Sequence, residues 1–361
     1  MKKHQSILTA VLLAILCCLL VLSGCAKQQA QNASAATNTQ VGRIGGSDRS
    51  KQEYVWISQD STLPVFVERV YPALKAFEKD YGVTVRIAGP TGIDLATFIA
   101  TVEQEAARKP AGIIVVGGWD PALTEPVNKA IAMHVPVVVT DGDLDKSDRL
   151  CYVGTDWYNL GVRMAQYQIQ EHKARGLSSG KIAVLSPIQA ENMQKARQGI
   201  KDTLVGTGIE VVAEEDNESQ ADISAQKVAA LLKSYRDLTG IVGLDSESGP
   251  GIVAALDEAG AAGKIIVTSN ESGREFLENI KNGKITAIVM ERYDVMDYLA
   301  LQLLYDWNNN AIAVGGMDPW KNNWMPNKID SGLLVVTKDN VDEVNNWMLE
   351  TEKLSSATAA P

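Results

Sequence analysis

Acids, amides and aromatic residues gather just past a series of short apolar runs. Gln59, Asp60 and Phe66 follow the run that starts at Tyr54, Trp119 and Asp120 follow the one at Gly112, and Asp141 ends the one at Val135. Further along, Asn192 and Arg197 follow the run at Lys181, and Asp245 follows the run at Gly240. Asn270 follows the run at Lys264, and Glu291 ends the run at Ile285. Carboxylates accept hydrogen bonds and amides both donate and accept, so together they suit adjacent hydroxyls, while Trp and Phe faces cover a C–H surface. Asp141 and Asn270 end the fourth run of two matching series, and a polyol held between them is the economical reading. Simpler roles stand beside these. Asp156, ahead of a helical stretch from Tyr158, reads as an N-cap; Asp141 before Gly142 suits a turn, and Trp56 inside its run reads as core.

Covalent chemistry has no comparable signature. Gly283-Lys284 is followed by Ile285, so no phosphate-cradling Gly-x-x-x-x-Gly-Lys-[Ser/Thr] motif is present, and no Gly-x-Ser-x-Gly elbow occurs. Gly240-Ile-Val-Gly243 and Gly249-Pro-Gly251 lack the dinucleotide spacing at a first strand. Paired carboxylates of the glycosidase kind have no supporting motif. The 3 His lie far apart and the 4 Cys form no Cys-x-x-Cys pair, which argues against a zinc site. The chain reads as a non-enzyme with no cofactor and no metal. Its net charge of −10, from 34 Lys+Arg and 44 Asp+Glu, argues against nucleic acid as a partner.

The elements that must position these residues follow from length and rhythm. A chain of 361 residues suggests two domains. β-branched runs starting at Tyr54, Val83, Gly112 and Val135 are spaced by 29, 29 and 23 residues; a second series at Lys181, Ile209, Gly240 and Lys264 is spaced by 28, 31 and 24. Leu74, Phe77 and Tyr81, and likewise Val228, Leu231 and Leu232, fall at helical spacing between runs. This alternation is the mark of βαβ units and a parallel sheet, here duplicated. Pro72 predicts a kink or a late helix start. Ile285–Met290 and Ser331–Thr337 read as further strands, and Tyr298–Trp307 and Asn340 to about Leu349 as helices, so the chain crosses between two lobes more than once.

The N-terminus reads as an address. Lys2 and Lys3 precede an apolar run from Ile7 to Leu22, closed by Leu22-Ser23-Gly24-Cys25. The segment resembles a bacterial lipoprotein signal, with residues 1–24 removed and Cys25 carrying lipid, which would place the protein outside the cytoplasm on the cell membrane. An uncleaved membrane anchor is the alternative. Residues 25–52, poor in large apolar side chains, read as lipid anchor and tether, and 351–361 as a disordered tail. Cys151 alone remains beyond Cys25 and reads as a small buried hydrophobe.

The folded part, Glu53 to Leu349, resembles the ribose/xylose/galactose class of periplasmic sugar-binding proteins of ABC transporters. The likeness is carried by Val135-Pro-Val-Val-Val-Thr-Asp141, Val153-Gly-Thr-Asp-Trp-Tyr-Asn-Leu-Gly161, Asn192-Met-Gln-Lys-Ala-Arg-Gln-Gly199 and Pro326-Asn-Lys-Ile-Asp-Ser-Gly-Leu-Leu-Val-Val-Thr337. It implies an α/β fold of the periplasmic-binding-protein type I: two doubly wound parallel-sheet lobes joined by a three-crossover hinge. The lobes would be 53–155 with 292–330 and 156–291 with 331–350. It further implies a monomer that closes over one sugar-like molecule and hands it to a permease. Asp141 would grip adjacent hydroxyls, Phe66 would cover the ring, and Asn192, Arg197, Asp245, Asn270 and Glu291 would add polar contacts. Gly142 after the acid, Leu63-Pro64-Val65, and Glu291 in place of an amide depart from the ribose pattern and point to a hexose, a larger saccharide or an amine-bearing ligand. A nucleoside or signalling furanose, and service as a sensory partner of a chemoreceptor or kinase, are the alternatives.

Overall fold

The computed structural model describes residues 48–63, 65–117, 120–270, 273–309 and 318–358. The proposed signal, Cys25 and most of the tether lie outside them. The strands are β1 (Glu53–Ser58), β2 (Thr84–Ala88), β3 (Gly112–Val116), β4 (Val137–Thr140), β5 (Cys151–Gly154), β6 (Gly180–Ser186), β7 (Ile209–Asp216), β8 (Leu238–Gly243), β9 (Ile266–Ser269), β10 (Ala287–Glu291), β11 (Lys328–Asp330) and β12 (Leu333–Thr337). The helices are α1 (Tyr71–Tyr81), α2 (Leu95–Ala107), α3 (Thr124–Ala132), α4 (Trp157–Ala174), α5 (Glu191–Leu204), α6 (Ala221–Ser234), α7 (Ser248–Glu258), α8 (Glu275–Lys281), α9 (Tyr293–Asn309) and α10 (Val341–Thr358).

Two six-stranded sheets result, ordered β11-β5-β4-β3-β1-β2 and β12-β10-β9-β8-β6-β7. The order is the same in both when the second series is laid on the first, so the duplication read from the spacing is real in the topology. Every pairing is parallel except β10 with β12. The chain crosses from first sheet to second after β5, returns after β10, and crosses again between β11 and β12. That is the three-crossover, type I architecture expected.

Helices cover both faces of each sheet, which is why the strands are Val/Ile-rich rather than alternating in polarity. In β1, Tyr54 and Trp56 pack with Ile114 and Val116 under α1 and α9; Val55 and Ile57 face the other way with Ile113 and Val115 under α2 and α3. Gly161 of α4 and Gly199 of α5, both in stretches that carried the family likeness, have a packing reason. A Cβ on Gly161 would stand 1.9 Å from the Ala196 carbonyl oxygen, and one on Gly199 2.1 Å from that of Tyr158. The two helices touch backbone to backbone.

Four expectations are corrected. Residues 48–52 are ordered rather than tether: Gln52 is buried, its carbonyl accepts from Thr84 N (3.0 Å) and its side chain from the Tyr54 hydroxyl (2.9 Å), extending the start of β1. The helix read from Tyr298 begins at Tyr293, because its polar first turn is paired rather than solvated. The last helix runs to Thr358, past the end near Leu349 that the pattern predicts; the stretch from Glu350 on holds no Gly or Pro before Pro361. Finally, the chain before Pro72 is already helical: a wide turn over Phe66–Val70, in which the Tyr71 N–H reaches the Phe66 carbonyl, runs directly into α1, and Pro72, with no N–H to give, falls where the wide turn meets the α-helix.

Candidate functional site

In both sheets the strand order reverses beside the first strand, at β1/β3 and β6/β8. Open α/β sheets take ligands at that point, outside the carboxyl ends of the strands. On the first sheet several of the acids are engaged locally. Asp60 Oδ1 accepts from the amide (2.9 Å) and hydroxyl (2.6 Å) of Thr62, and Asp120 Oδ1 accepts from Ala122 N (2.8 Å) as an N-cap. Asp156 caps α4 through Asn159 N (3.0 Å), as its place in the sequence predicts. Gln59 is half-buried. Trp119 and Pro64 lie outside the described residues.

Asp141 is set differently. Its φ is +67, a left-handed conformation that Asp tolerates better than most residues. Three contacts hold it there: its amide donates to Met296 Sδ (3.1 Å), its carbonyl accepts from the Tyr152 hydroxyl (2.8 Å), and Oδ1 accepts from the Tyr293 hydroxyl (3.3 Å). The carboxylate is therefore aimed by the fold and not by a turn preference. Phe66, on the π-turn, is buried edge-on to Trp56 (5.1 Å) and to Tyr293 (6.1 Å). Trp56 is core, as read.

On the second sheet, Asp245 Oδ1 accepts from Asn217 Nδ2 (2.7 Å) and from the Ser248 hydroxyl, while Oδ2 is buried without a partner. Burial raises the pKa of this carboxyl against the pull of those bonds. Asn270, on the neighbouring strand end, has its amide nitrogen on the Gly243 carbonyl (2.9 Å) and its side-chain Nδ2 buried without a partner. Arg197 is occupied within its own lobe, donating to Ser186 Oγ (2.7 Å) and the Ile188 carbonyl (2.7 Å) and pairing with Glu214 (3.1 Å). Asn192 is half-buried in the first turn of α5.

Glu291 is buried where the chain returns to the first sheet. Its Oε1 accepts from the Thr155 hydroxyl (3.1 Å) at the end of β5, and its Oε2 lies 3.2 Å from the Tyr293 hydroxyl. Burial pushes its carboxyl up to about 7, against the pull of those two hydroxyls and of Arg69. Arg69, 2% exposed, donates to the Glu291 carbonyl (2.7 Å) and pairs with Asp294 (3.2 Å). Its guanidinium carbon lies 5.8 Å from the ring centres of both Tyr293 and Trp347, where its other N–H groups meet aromatic faces.

A family model described as a periplasmic binding protein domain matches residues 54–310. The chain belongs to that family. AraP, an arabinose-binding protein from Geobacillus stearothermophilus, is similar over 81% of this chain and 99% of its own, at 27% identity and TM-score 0.73. A sugar-binding protein of a sugar ABC transporter from Bacillus halodurans is similar over 81% and 99%, at 26% identity and TM-score 0.74. A solute-binding protein from Burkholderia graminis, solved with D-arabinose, shares the fold over 81% and 98%, at 24% identity and TM-score 0.69. No curated protein sequence matches the chain.

In this periplasmic binding protein, sequence reasoning missed Tyr293 and Arg69. Arg69 left a trace: a charge set between Phe66 and Val70 on an otherwise apolar helical face. Tyr293 left a weaker one, two residues past a strand-end acid. Asp297 is fully buried, accepts from Thr140 Oγ1 (2.9 Å), and is pushed by burial up to about 7. Trp157 is core at the start of α4. Trp320 and Trp324 pack with Trp307, and Trp320 also with His134, which precedes β4 and so lies at the opposite edge from Asp141. Among the described residues, no helix is long and apolar enough to cross a membrane.

Proposed function

We propose that this protein captures a sugar, a mono- or oligosaccharide, between the strand ends of its two sheets and delivers it to an ABC transporter permease, without changing it chemically. The observation that carries this reading is the pair Asp245 Oδ2 and Asn270 Nδ2. An acceptor and a donor, both buried and without a protein partner, end neighbouring strands β8 and β9. Leaving such groups unpaired costs about 1–3 kcal/mol each, and a hydroxyl, which donates and accepts at once, answers both. Asp141 from the first sheet supplies a further acceptor, and Phe66 an aromatic surface. The relatives above 25% identity, named for arabinose and sugar binding, support the same ligand class. Capture is closure of two lobes, 53–155 with 292–330 and 156–291 with 331–350, on one ligand. A lipid on Cys25 is the proposed tether to the membrane face.

The test is a thermal-shift and calorimetric screen against arabinose, xylose, galactose and oligosaccharides, with nucleosides and polyamines beside them. A ligand at a thousandfold over its Kd stabilises the folded state by about 4 kcal/mol, so a sugar should raise the midpoint by several degrees. A response to nucleosides or amines alone would sink the sugar reading. Labelled palmitate should enter the wild-type chain and not Cys25→Ala.

A further inference from the structure

The hydroxyl of Tyr293 stands between two carboxyl groups that arrive from different sheets: 3.3 Å from Asp141 Oδ1, past β4, and 3.2 Å from Glu291 Oε2, at the end of β10. A phenol has one proton to donate. Were both carboxyls ionised, one of these contacts would set two lone pairs face to face, in a place where burial makes such a contact expensive. One added proton resolves it. Thr155 Oγ1 donates to Glu291 Oε1, a protonated Glu291 Oε2 donates to Tyr293, and Tyr293 donates to an ionised Asp141.

We propose that these four side chains form one hydrogen-bond chain across the crossing between the sheets, that the chain holds a single proton on Glu291, and that Tyr293 is the positioning residue that presents the Asp141 carboxylate to the ligand. The part concerning ligand rests on the sugar-binding reading above. Loss of the proton puts two charges on one phenol, so ligand affinity falls as pH rises.

The surrounding charges support a proton at Glu291. Arg69 is the nearest cation, but it donates to the Glu291 backbone carbonyl and pairs with Asp294. Arg292, next in sequence, pairs with Asp294 as well (2.9 Å). From the first sheet comes Asp141, whose charge on the far side of the Tyr293 hydroxyl opposes a second one, while the phenol of Tyr152, kept neutral by burial, brings no cation to offset it. Asp143 near Tyr152 is balanced by Arg149 (2.7 Å) and Lys328 (2.6 Å). From β12 the residue opposite Glu291 is the apolar Leu333. Burial accordingly lifts Glu291 to about 7, and burial with the nearby acids raises Tyr293 well above its usual value, so the phenol stays a donor.

The experiment compares wild type, Glu291→Gln, Tyr293→Phe and Asp297→Asn in the full chain. Without ligand, the melting temperature is followed from pH 4 to 8.5. With arabinose, xylose or galactose, whichever binds, Kd is measured over pH 5.5–8.5 in buffers of different ionisation enthalpy. Wild type should bind with uptake of a proton above pH 7, Kd rising up to about tenfold per pH unit there, as linkage to one proton requires. Glu291→Gln, whose amide donates to Tyr293 as the neutral acid does, should lose the slope of Kd with pH. Tyr293→Phe should bind at least about tenfold more weakly at low pH. Asp297→Asn, outside the chain, should keep the slope. An unchanged slope in Glu291→Gln, or a slope abolished by Asp297→Asn, overturns the proposal. Should no sugar bind, the sugar reading fails while the ligand-free melts still decide the proton: a melting profile of Glu291→Gln parallel to wild type between pH 4.5 and 7 overturns the chain.

Discussion

The strand ends of the first sheet hold their acids in place, although the Ser58 hydroxyl that ends β1 is buried without a partner, whereas those of the second leave an acid and an amide uncovered. Asp60 and Asp120 cap their own turns, and Asp141 is pinned at amide, carbonyl and carboxylate in a left-handed conformation. At the matching ends of β8 and β9, Asp245 Oδ2 and Asn270 Nδ2 are buried with no protein group on them. One duplicated plan thus yields a wall that aims a carboxylate and a wall with hydrogen-bonding capacity to spare. The last strand of each sheet differs too. β11 lies parallel on β5, but only Ser331 and Gly332 separate it from β12, so the chain enters the second sheet where it left the first and must run back antiparallel. Duplication sets the first five strands of each sheet; connection length sets the sixth.

The comparison can be tested at four places, beginning with the largest effect. Asp297, beneath the first wall, has its carboxyl lifted from 3.8 to about 7. The unfolded chain ionises first, so the stability from this group is complete below about pH 4 and is lost as pH rises towards 7. At 1.36 kcal/mol per unit the loss is on the order of 4 kcal/mol. Asp297→Asn should match wild type at pH 4 and grow relatively more stable up to pH 7, read by urea melts; a constant difference would show that the acid is not held neutral.

Asp141→Asn keeps the left-handed backbone but removes the charge, and should weaken sugar binding by about tenfold to a hundredfold in calorimetry. Binding within twofold of wild type would mean that the first wall does not touch the ligand. Next come the uncovered atoms. Asn270→Ala should cost about tenfold in affinity with an unchanged melting point, since Nδ2 has no protein bond to lose. Asp245→Ala should cost a similar affinity and also about 1–3 kcal/mol of stability, because Asn217 and Ser248 lose their acceptor. Equal stability loss in both would erase the distinction. The smallest effect belongs to the caps: Asp60→Ala and Asp120→Ala should cost about 1 kcal/mol of stability or less and leave affinity within about twofold. A tenfold loss of affinity in either would move that acid from turn to ligand.

Much of this was legible in the chain itself. Runs of Val and Ile at a repeating spacing announced two parallel sheets, because a strand covered on both faces must be apolar on both. Acids and amides placed just past those runs announced the edge on which polar groups gather, because a parallel sheet brings all its carboxyl ends to one side. Gly161 and Gly199 were visible as motif residues, although their reason, helices in backbone contact, was not. The proton-holding arrangement was not legible at all. Tyr293 meets Asp141 from 152 residues away, and Arg69 reaches the Glu291 carbonyl across 222.

Sequence alone determined the class of fold, the duplication and the edge on which polar groups gather, since these follow from local periodicity and from the rule that buried strands exclude charge. Asp156 was legible as a cap; only the structure decided that Asp60 and Asp120 are engaged in their own turns, that Asp141 is aimed and that Asp245 keeps an oxygen without a partner. A carboxyl's role depends on what stands within hydrogen-bond reach of it: for Asp60, Asp120 and Asp245 those groups come from its own turn or sheet, and for Asp141 and Glu291 from residues at the crossings between the sheets.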